Sequence, residues 1–269
     1  RHLAKVEVAS SSLVFRSKNG THTAYRFFVF AGLLRKKRLR LPRVVLYCCY
    51  VKRSHWKEME EMALEIPALN LFMMCPKPRR EAFRQLPQGY HARLCRPEEL
   101  CCWKELNSIN PESIEFLDDY FQRVYAKEKE LFFQKCTFVC DEKDRPVGTC
   151  FLWRAYGKIT TLHWLKVLPE YEGQGIGRGL LSHVLSQAGE GEFPIYLHTH
   201  PSCYRAVHLY QEFGFKLLSG PAVGARTNDL EESLPYLREA MPEESFQRLE
   251  AAEAPAELLQ AAEGRPEEF

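Results

Sequence analysis

Between Thr137 and Leu185 the hydrophobic pattern of the chain changes period once, and a run of glycines marks the change. The stretches TFVC, VGTCFLWR and ITTLHWLKVL alternate like β-strands, with a polar turn after the first and the turn Tyr156-Gly157-Lys158 before the last. Then EYEGQGIGRGLLSHVL sets Gly173, Gly175, Gly177 and Gly179 at alternate positions, while Ile176, Leu180, Leu181, Val184 and Leu185 fall on one helical face. A strand that passes into a helix through glycines leaves the first helical N–H groups bare, with their partial positive charge, and puts no Cβ in the way of an anion. The junction therefore reads as a cradle for a phosphate or pyrophosphate. A merely flexible connection accounts for one or two of these glycines but not for four in alternation.

The elements around this junction fill out one layered domain. Leu69–Cys75 and Gly89–Cys95 read as strands, and helices are expected from Pro97 and over Pro111–Glu130, each with proline at its start. After the glycine helix come a strand at Phe193–Thr199 and a helix, YRAVHLYQEFGF, that stacks Ala206, Tyr210 and Phe213 and stops at Gly214. The order β-α-α-β-β-β-α-β-α-β describes a mixed α/β (α+β) fold around one sheet. The Ala/Glu-rich stretch Leu249–Gly264 reads as short helices.

Charge divides the chain. Residues 1–57 carry 14 Lys and Arg against the single acid Glu7, whereas residues 221–269 carry 4 against 12, so the overall net charge of +2 conceals a basic arm and an acidic extension. The expected organisation is a basic N-terminal extension (1–57), poorly ordered, a lead-in (58–85), a central folded domain (86–220) and an acidic, partly helical extension (221–269). The arm, with RKKRLRLPR at 35–43, suits nucleic acid, a membrane surface or a transit sequence as well as a plain extension. It is also read as a leader or fragment, with Met59 and Met62 as starting points. The apolar runs Phe27–Leu34 and Val44–Val51 have eight residues each, far below the roughly 20 that span a bilayer. Ten cysteines at irregular spacing, with no CxxC, fit free thiols in a reducing cytoplasm.

The phosphate ligand is narrowed by what the glycines do not match. There is no GK[ST], and GxGxxG is out of register because Arg178 and Leu180 stand where its last glycine belongs. The segment Glu172-Gly173-Gln174-Gly175-Ile176-Gly177 instead resembles the [Q/R]xxGx[G/A] signature of the GNAT superfamily of acyl-CoA-dependent N-acetyltransferases, with Glu in place of Gln or Arg, and LPQGYHARLCRPEELCCWKEL is similar to the first strand and helix of its bacterial members. The lead-in Val167-Leu168-Pro169-Glu170-Tyr171 and the later Cys203–Phe215 stretch, with Ala206, Leu209, Tyr210, Gly214 and Phe215 in register and Cys203 for the usual Asn, are similar to that family too.

The resemblance, over about Leu86 to Gly220, implies a mixed, mostly antiparallel sheet flanked by helices, with a splayed strand pair that binds acetyl-CoA as cosubstrate. It implies main-chain contacts to the pantetheine arm along Leu165, Lys166 and Val167, and a pyrophosphate held by Gly173, Gln174, Gly175, Ile176, Gly177 and Arg178, with Cys203 at the next helix start. Tyr210 corresponds to the general acid, and His198, His163 or a water serves as base toward an amine acceptor, small molecule or protein. Acceptor contacts are implied around Cys101–Glu130 and Ser219–Thr227, where Glu115, Asp118 and Asp119 suit a cationic amine or a solvated helix face. His198, His200 and Cys203 have the residue types of zinc ligands, but three close ligands fall short of a closed site and no metal is expected. A cytoplasmic acetyltransferase is the reading; a homodimer stays open, and neither membrane nor nucleic acid is the expected partner. An acyl-CoA-binding regulatory module with little catalysis, suggested by Glu172 and Cys203, is the alternative, and a nucleic-acid-associated protein led by the arm is a third.

Overall fold

Residues 66–108 and 110–269 are described by the structure, a computed structural model; the basic arm, its two apolar runs and Met59 and Met62 lie outside the described residues. The strand-forming stretches assemble one sheet from β1 (Leu71–Cys75), β2 (His91–Leu94), β3 (Thr137–Cys140), β4 (Pro146–Ala155), β5 (Ile159–Val167), β6 (Ile195–Thr199), β7 (Lys216–Ser219) and β10 (Ala251–Glu253). Their order is β10-β7-β1-β6-β5-β4-β3-β2, antiparallel except for the β5–β6 and β7–β10 pairs. A separate small hairpin joins β8 (Ala222–Val223) to β9 (Arg226–Thr227).

Helices cover both faces, so the central strands are apolar on both sides instead of alternating with polar residues. On one face, Leu71, Met73, Leu152, Leu162, Ile195 and Leu197 pack against α4 (Ile176–Ser186), α5 (Tyr204–Glu212) and α6 (Leu230–Ala240). On the other, Phe138, Phe151 and Trp153 meet α1 (Leu100–Asn107), α2 (Pro111–Val124) and α3 (Lys129–Lys135), and Phe72 and Tyr196 meet α8 (Ala256–Ala262). A short α7 (Glu243–Gln247) precedes β10.

Two stretches differ from the sequence expectation. The helix expected over Pro111–Glu130 ends at Val124, and the chain bends through a single tight turn into α3. The bend brings the rings of Tyr125 and Phe132, both fully buried, to 5.0 Å from each other with both against Trp103, whereas seven residues of straight helix would set them about 10 Å apart along its axis. Farther on, Leu249–Gly264 is not helical throughout: Ala251–Glu253 lies parallel to β7 before Pro255 opens α8. The unpaired edge of β7 supplies hydrogen-bond partners that outweigh alanine's helix preference. No helix among the described residues is long and apolar enough to cross a membrane.

Candidate active site

The site begins where two parallel strands part. β5 and β6 pair only through Thr160 with Ile195 and Thr161 with Tyr196. On its other edge β5 carries a bulge, since Thr149 faces Lys166 while Phe151 faces His163, and Trp164 sits at the irregularity with φ 55°. A bulge bends its strand, and the Leu165-Lys166-Val167 stretch runs on with no pairing to β6.

At the end of β5 a short turn over Pro169–Tyr171 leads to the glycines. Gly173 and Gly175 have φ of 76° and 83°, a left-handed backbone that L side chains avoid, and Gly175 is the residue before α4. The first helical bond runs from Gly179 N–H to Gly175 O at 3.0 Å. Among the described residues no acceptor meets the backbone N–H groups from Gly173 through Arg178. Such a row, at a helix start with no side-chain cap, is an anion site. Gln174 is steadied by Tyr90, whose hydroxyl donates to its Oε1 at 3.0 Å.

Three charged or glycine positions have other employment. Arg178 forms an ion pair with Glu212 of α5 and bonds Ala82 O, so it braces the helices and does not reach over the loop. A Cβ on Gly179 would lie 2.9 Å from the Leu86 Cα, so this glycine serves close packing of α4 on the chain before β2. Glu172 accepts from Arg205 Nη1 of α5 at 3.0 Å. Arg205 thereby brings a cation to the edge of the glycine loop. Sequence reasoning missed it; the signal was the pair of opposite charges at Glu172 and Arg205, one in each motif.

Tyr210 belongs to the α4–α5 face, 7% exposed, with no hydrogen bond to its hydroxyl among the described residues. Burial first, and then the neighbouring Cys150 and Cys203, push its pKa well above the ordinary 10. Cys203 is exposed at the residue before α5.

The histidines lie on the opposite face. His163 is 3% exposed, and both its ring nitrogens are taken. The proton order follows from the partners: Trp164 Nε1–H donates to the Tyr125 hydroxyl at 2.9 Å, Tyr125 to His163 Nδ1, His163 Nε2–H to Thr161 Oγ1 at 2.7 Å, and Thr161 to Trp153 O at 3.1 Å. Burial lowers its pKa to about 3. His163, one of the candidate bases, is in the structure a neutral link in a closed chain of hydrogen bonds.

His198 stands beside Phe72 on the neighbouring strand, with ring centroids 5.1 Å apart. Its Nε2–H donates to Asn70 Oδ1 at 3.0 Å, because the amide of Asn70 is turned to Asp229 by bonds of 2.8 and 3.2 Å from its N–H and Nδ2. That network leaves the lone pair on Nδ1. Burial, followed by Arg226 and His200, holds its pKa well below 6.5, so it is neutral at pH 7. His200 lies 4.7 Å from it, ring to ring, and donates from Nδ1 to Leu69 O at 2.8 Å. Of the acids on α2, Asp118 is bound by Lys104, and Asp119 lies 4.0 Å from Arg123. Among the described residues, potential metal-ligand atoms gather within 4.8 Å at His91, Cys140 and Asp144, and Asp144 is already paired with Arg93 and Arg96.

The family profile for the acetyltransferase (GNAT) family matches residues 98–215. The matched stretch, a little under half of the chain, is by this profile a GNAT acetyltransferase domain. Solved structures of GNAT proteins resemble it. A GCN5-related N-acetyltransferase from Sphaerobacter thermophilus is 20% identical, over 61% of this chain and 53% of its own, with a TM-score of 0.40. An acetyltransferase of the GNAT family from Colwellia psychrerythraea is 12% identical, over 61% and 58%, with a TM-score of 0.40. The tandem GNAT protein of the clavulanic acid biosynthesis pathway is 14% identical, over 56% and 50%, with a TM-score of 0.43. The chain thus spans little more than half the length of these relatives, and no curated protein matches it. The GNAT match takes in the bulged β5, the glycine loop and Tyr210, and leaves out β1, β10 and α8.

Proposed function

We propose that this protein is an N-acetyltransferase that passes an acetyl group from acetyl-CoA directly to an amine. The observation that carries the reading is the row of acceptor-free N–H groups from Gly173 to Arg178 at the end of β5, the strand that has parted from β6. That row fits a pyrophosphate in number, charge and openness, and Arg205 adds a cation at its rim. The free edge of β5 along Leu165–Val167 suits the amide groups of a pantetheine arm. When bound, acetyl-CoA supplies the acetyl group as a thioester.

The two sheet faces divide the remaining work. Tyr210, kept protonated by burial, serves as the acid that gives its proton to the departing sulfur. On the opposite face His198, with its Nδ1 lone pair oriented through Asn70 and Asp229, serves as the base that takes a proton from the amine, directly or through water. His163 acts on neither; it fixes Trp164 at the bulge through Tyr125 and so positions the strand that lines the gap.

Calorimetric titration of acetyl-CoA into the full chain tests the cradle. Micromolar binding is expected, lost in Gly175→Glu, where a carboxylate and a Cβ at positive φ enter the loop. Equal binding by both proteins would overturn the reading.

A further inference from the structure

The protein's own residues 265–269 run over the face of the sheet that carries the histidines, between α2 and Phe72 of β1. The Tyr120 hydroxyl of α2 donates to Glu268 O at 2.5 Å, Arg123 donates to Glu267 O, and the Tyr156 backbone N–H donates to the Glu268 carboxylate. Arg226 of β9 donates to Phe269 O and stands 4.0 Å from the Glu267 carboxylate. The Phe269 ring lies against Phe72 and Tyr156, with centroids 6.2 and 6.1 Å away, and Phe72 is the residue that also packs on His198. At the other end Tyr120 packs edge-on against Trp164 of the bulge, 5.3 Å between centroids.

The hydrogen-bonding wall groups that meet Glu267–Phe269, namely the Tyr120 hydroxyl, Arg123, the Tyr156 N–H and Arg226, are donors, and their partners there are carbonyls or a carboxylate, whereas Arg265 just before them donates to Tyr156 O at 3.0 Å. Arg226 makes the case sharpest. It is largely buried, desolvation works against its charge, and Glu267 is its nearest acid. Buried cations need anionic or carbonyl partners, so without the segment the groove would hold an unpaired guanidinium beside His198 and His200. Of the acids of α2 that would draw a cationic amine, Asp118 and Asp119 are already matched to Lys104 and Arg123.

Resting on the acetyltransferase reading above, we infer that this groove is the acceptor site and that it takes an amine carrying carboxylate groups in extended, peptide-like form, for which Glu267–Phe269 is a built-in, displaceable stand-in. Acidic acceptors must expel the segment, so the groove is both selective and self-covered.

The test uses the full chain and two synthetic tripeptides, Glu-Glu-Phe and Lys-Lys-Phe, titrated calorimetrically, with hydrogen exchange of the Tyr156 amide and an acetyl-CoA titration on the same samples. In a double variant with Glu268→Ala and Phe269→Ala, the Tyr156 amide should exchange at least tenfold faster and Glu-Glu-Phe should bind about tenfold more tightly than in the parent. Adding Arg226→Gln should remove that gain, and Lys-Lys-Phe should not bind. Unchanged Tyr156 exchange would overturn the idea of a displaceable occupant. Equal binding of the two peptides, or a gain that survives Arg226→Gln, would overturn the acidic acceptor. Acetyl-CoA binding is read separately: its absence sinks the acetyltransferase reading, and its presence with no peptide discrimination sinks only the acceptor class.

Discussion

At Tyr210, burial makes the hydroxyl a poor anion and therefore a retained proton donor. Tyr210→Phe removes that proton while keeping the ring in the core, so kcat is expected to fall by about 10²–10⁴ with acetyl-CoA binding unchanged in the calorimeter. A fall in binding with no fall in kcat would assign the ring to the cradle instead. His163 makes a prediction about pH. Its folded-state pKa is depressed to about 3 from the ordinary 6.5, so between these values the unfolded chain binds a proton that the folded one refuses. Its contribution to stability is complete above pH 6.5 and is lost as pH falls toward 3, at up to about 1.4 kcal/mol per pH unit. Urea unfolding at pH 7 and pH 5 should show a smaller loss in His163→Gln than in the parent; His198 and His200, whose pKa values also lie low, keep their own share in both. The sequence named Tyr210 and the glycines because their motifs are local. It put His198 ahead of His163 by resemblance alone, because the partners that set the two apart, Asn70 and Tyr125, meet them only across the fold.

Elements were legible where one face or one turn decides them. The strands β3 to β6 and the helices α4 and α5 lie where alternation and helical stacking put them, and the glycine loop joins β5 to α4 as its period change requires. The splay itself was foreseeable only by resemblance, because nothing in the local pattern of β5 announces the extra residue opposite Cys150. The four glycines also divide in a way alternation conceals: Gly173 and Gly175 turn the backbone, whereas Gly179 lets α4 lie against Leu86. Gly179→Ala weighs the last point. Alanine gains about 1 kcal/mol of helix propensity over glycine, but its Cβ would sit 2.9 Å from Leu86 Cα and 3.1 Å from Leu86 N, a backbone clash of the overpacking kind that costs about 1–3 kcal/mol. A net loss of up to about 2 kcal/mol is expected in urea unfolding, and a stabilised variant would show that the Leu86 segment yields.

For the molecule as a whole, the residues beyond Gly220 are part of the fold and not an appendage to it. β10 completes the sheet edge beside β7, and α8 buries Leu258, Ala261 and Ala262 against Phe72, Tyr196 and Ile159. The composition of this stretch, rich in Ala and Glu, hid its role, because β10 exists only through the edge it pairs with. The same core holds α8 at the point from which residues 265–269 cross the histidine face, and Arg265 ties the crossing to Tyr156 O at 3.0 Å. Stability of the α8 core and cover of the groove are therefore one property read at two places. Leu258→Ala empties a fully buried site and should cost about 2–5 kcal/mol in global unfolding. Because α8 then seats less firmly, the Tyr156 amide, bonded to Glu268, should also exchange faster under native conditions. The two measurements can disagree in an informative way: a destabilised protein whose Tyr156 amide stays protected would mean that the grip of Tyr120, Arg123 and Arg226 on the segment holds without α8, and that the groove recognises its acidic occupant by its own contacts alone.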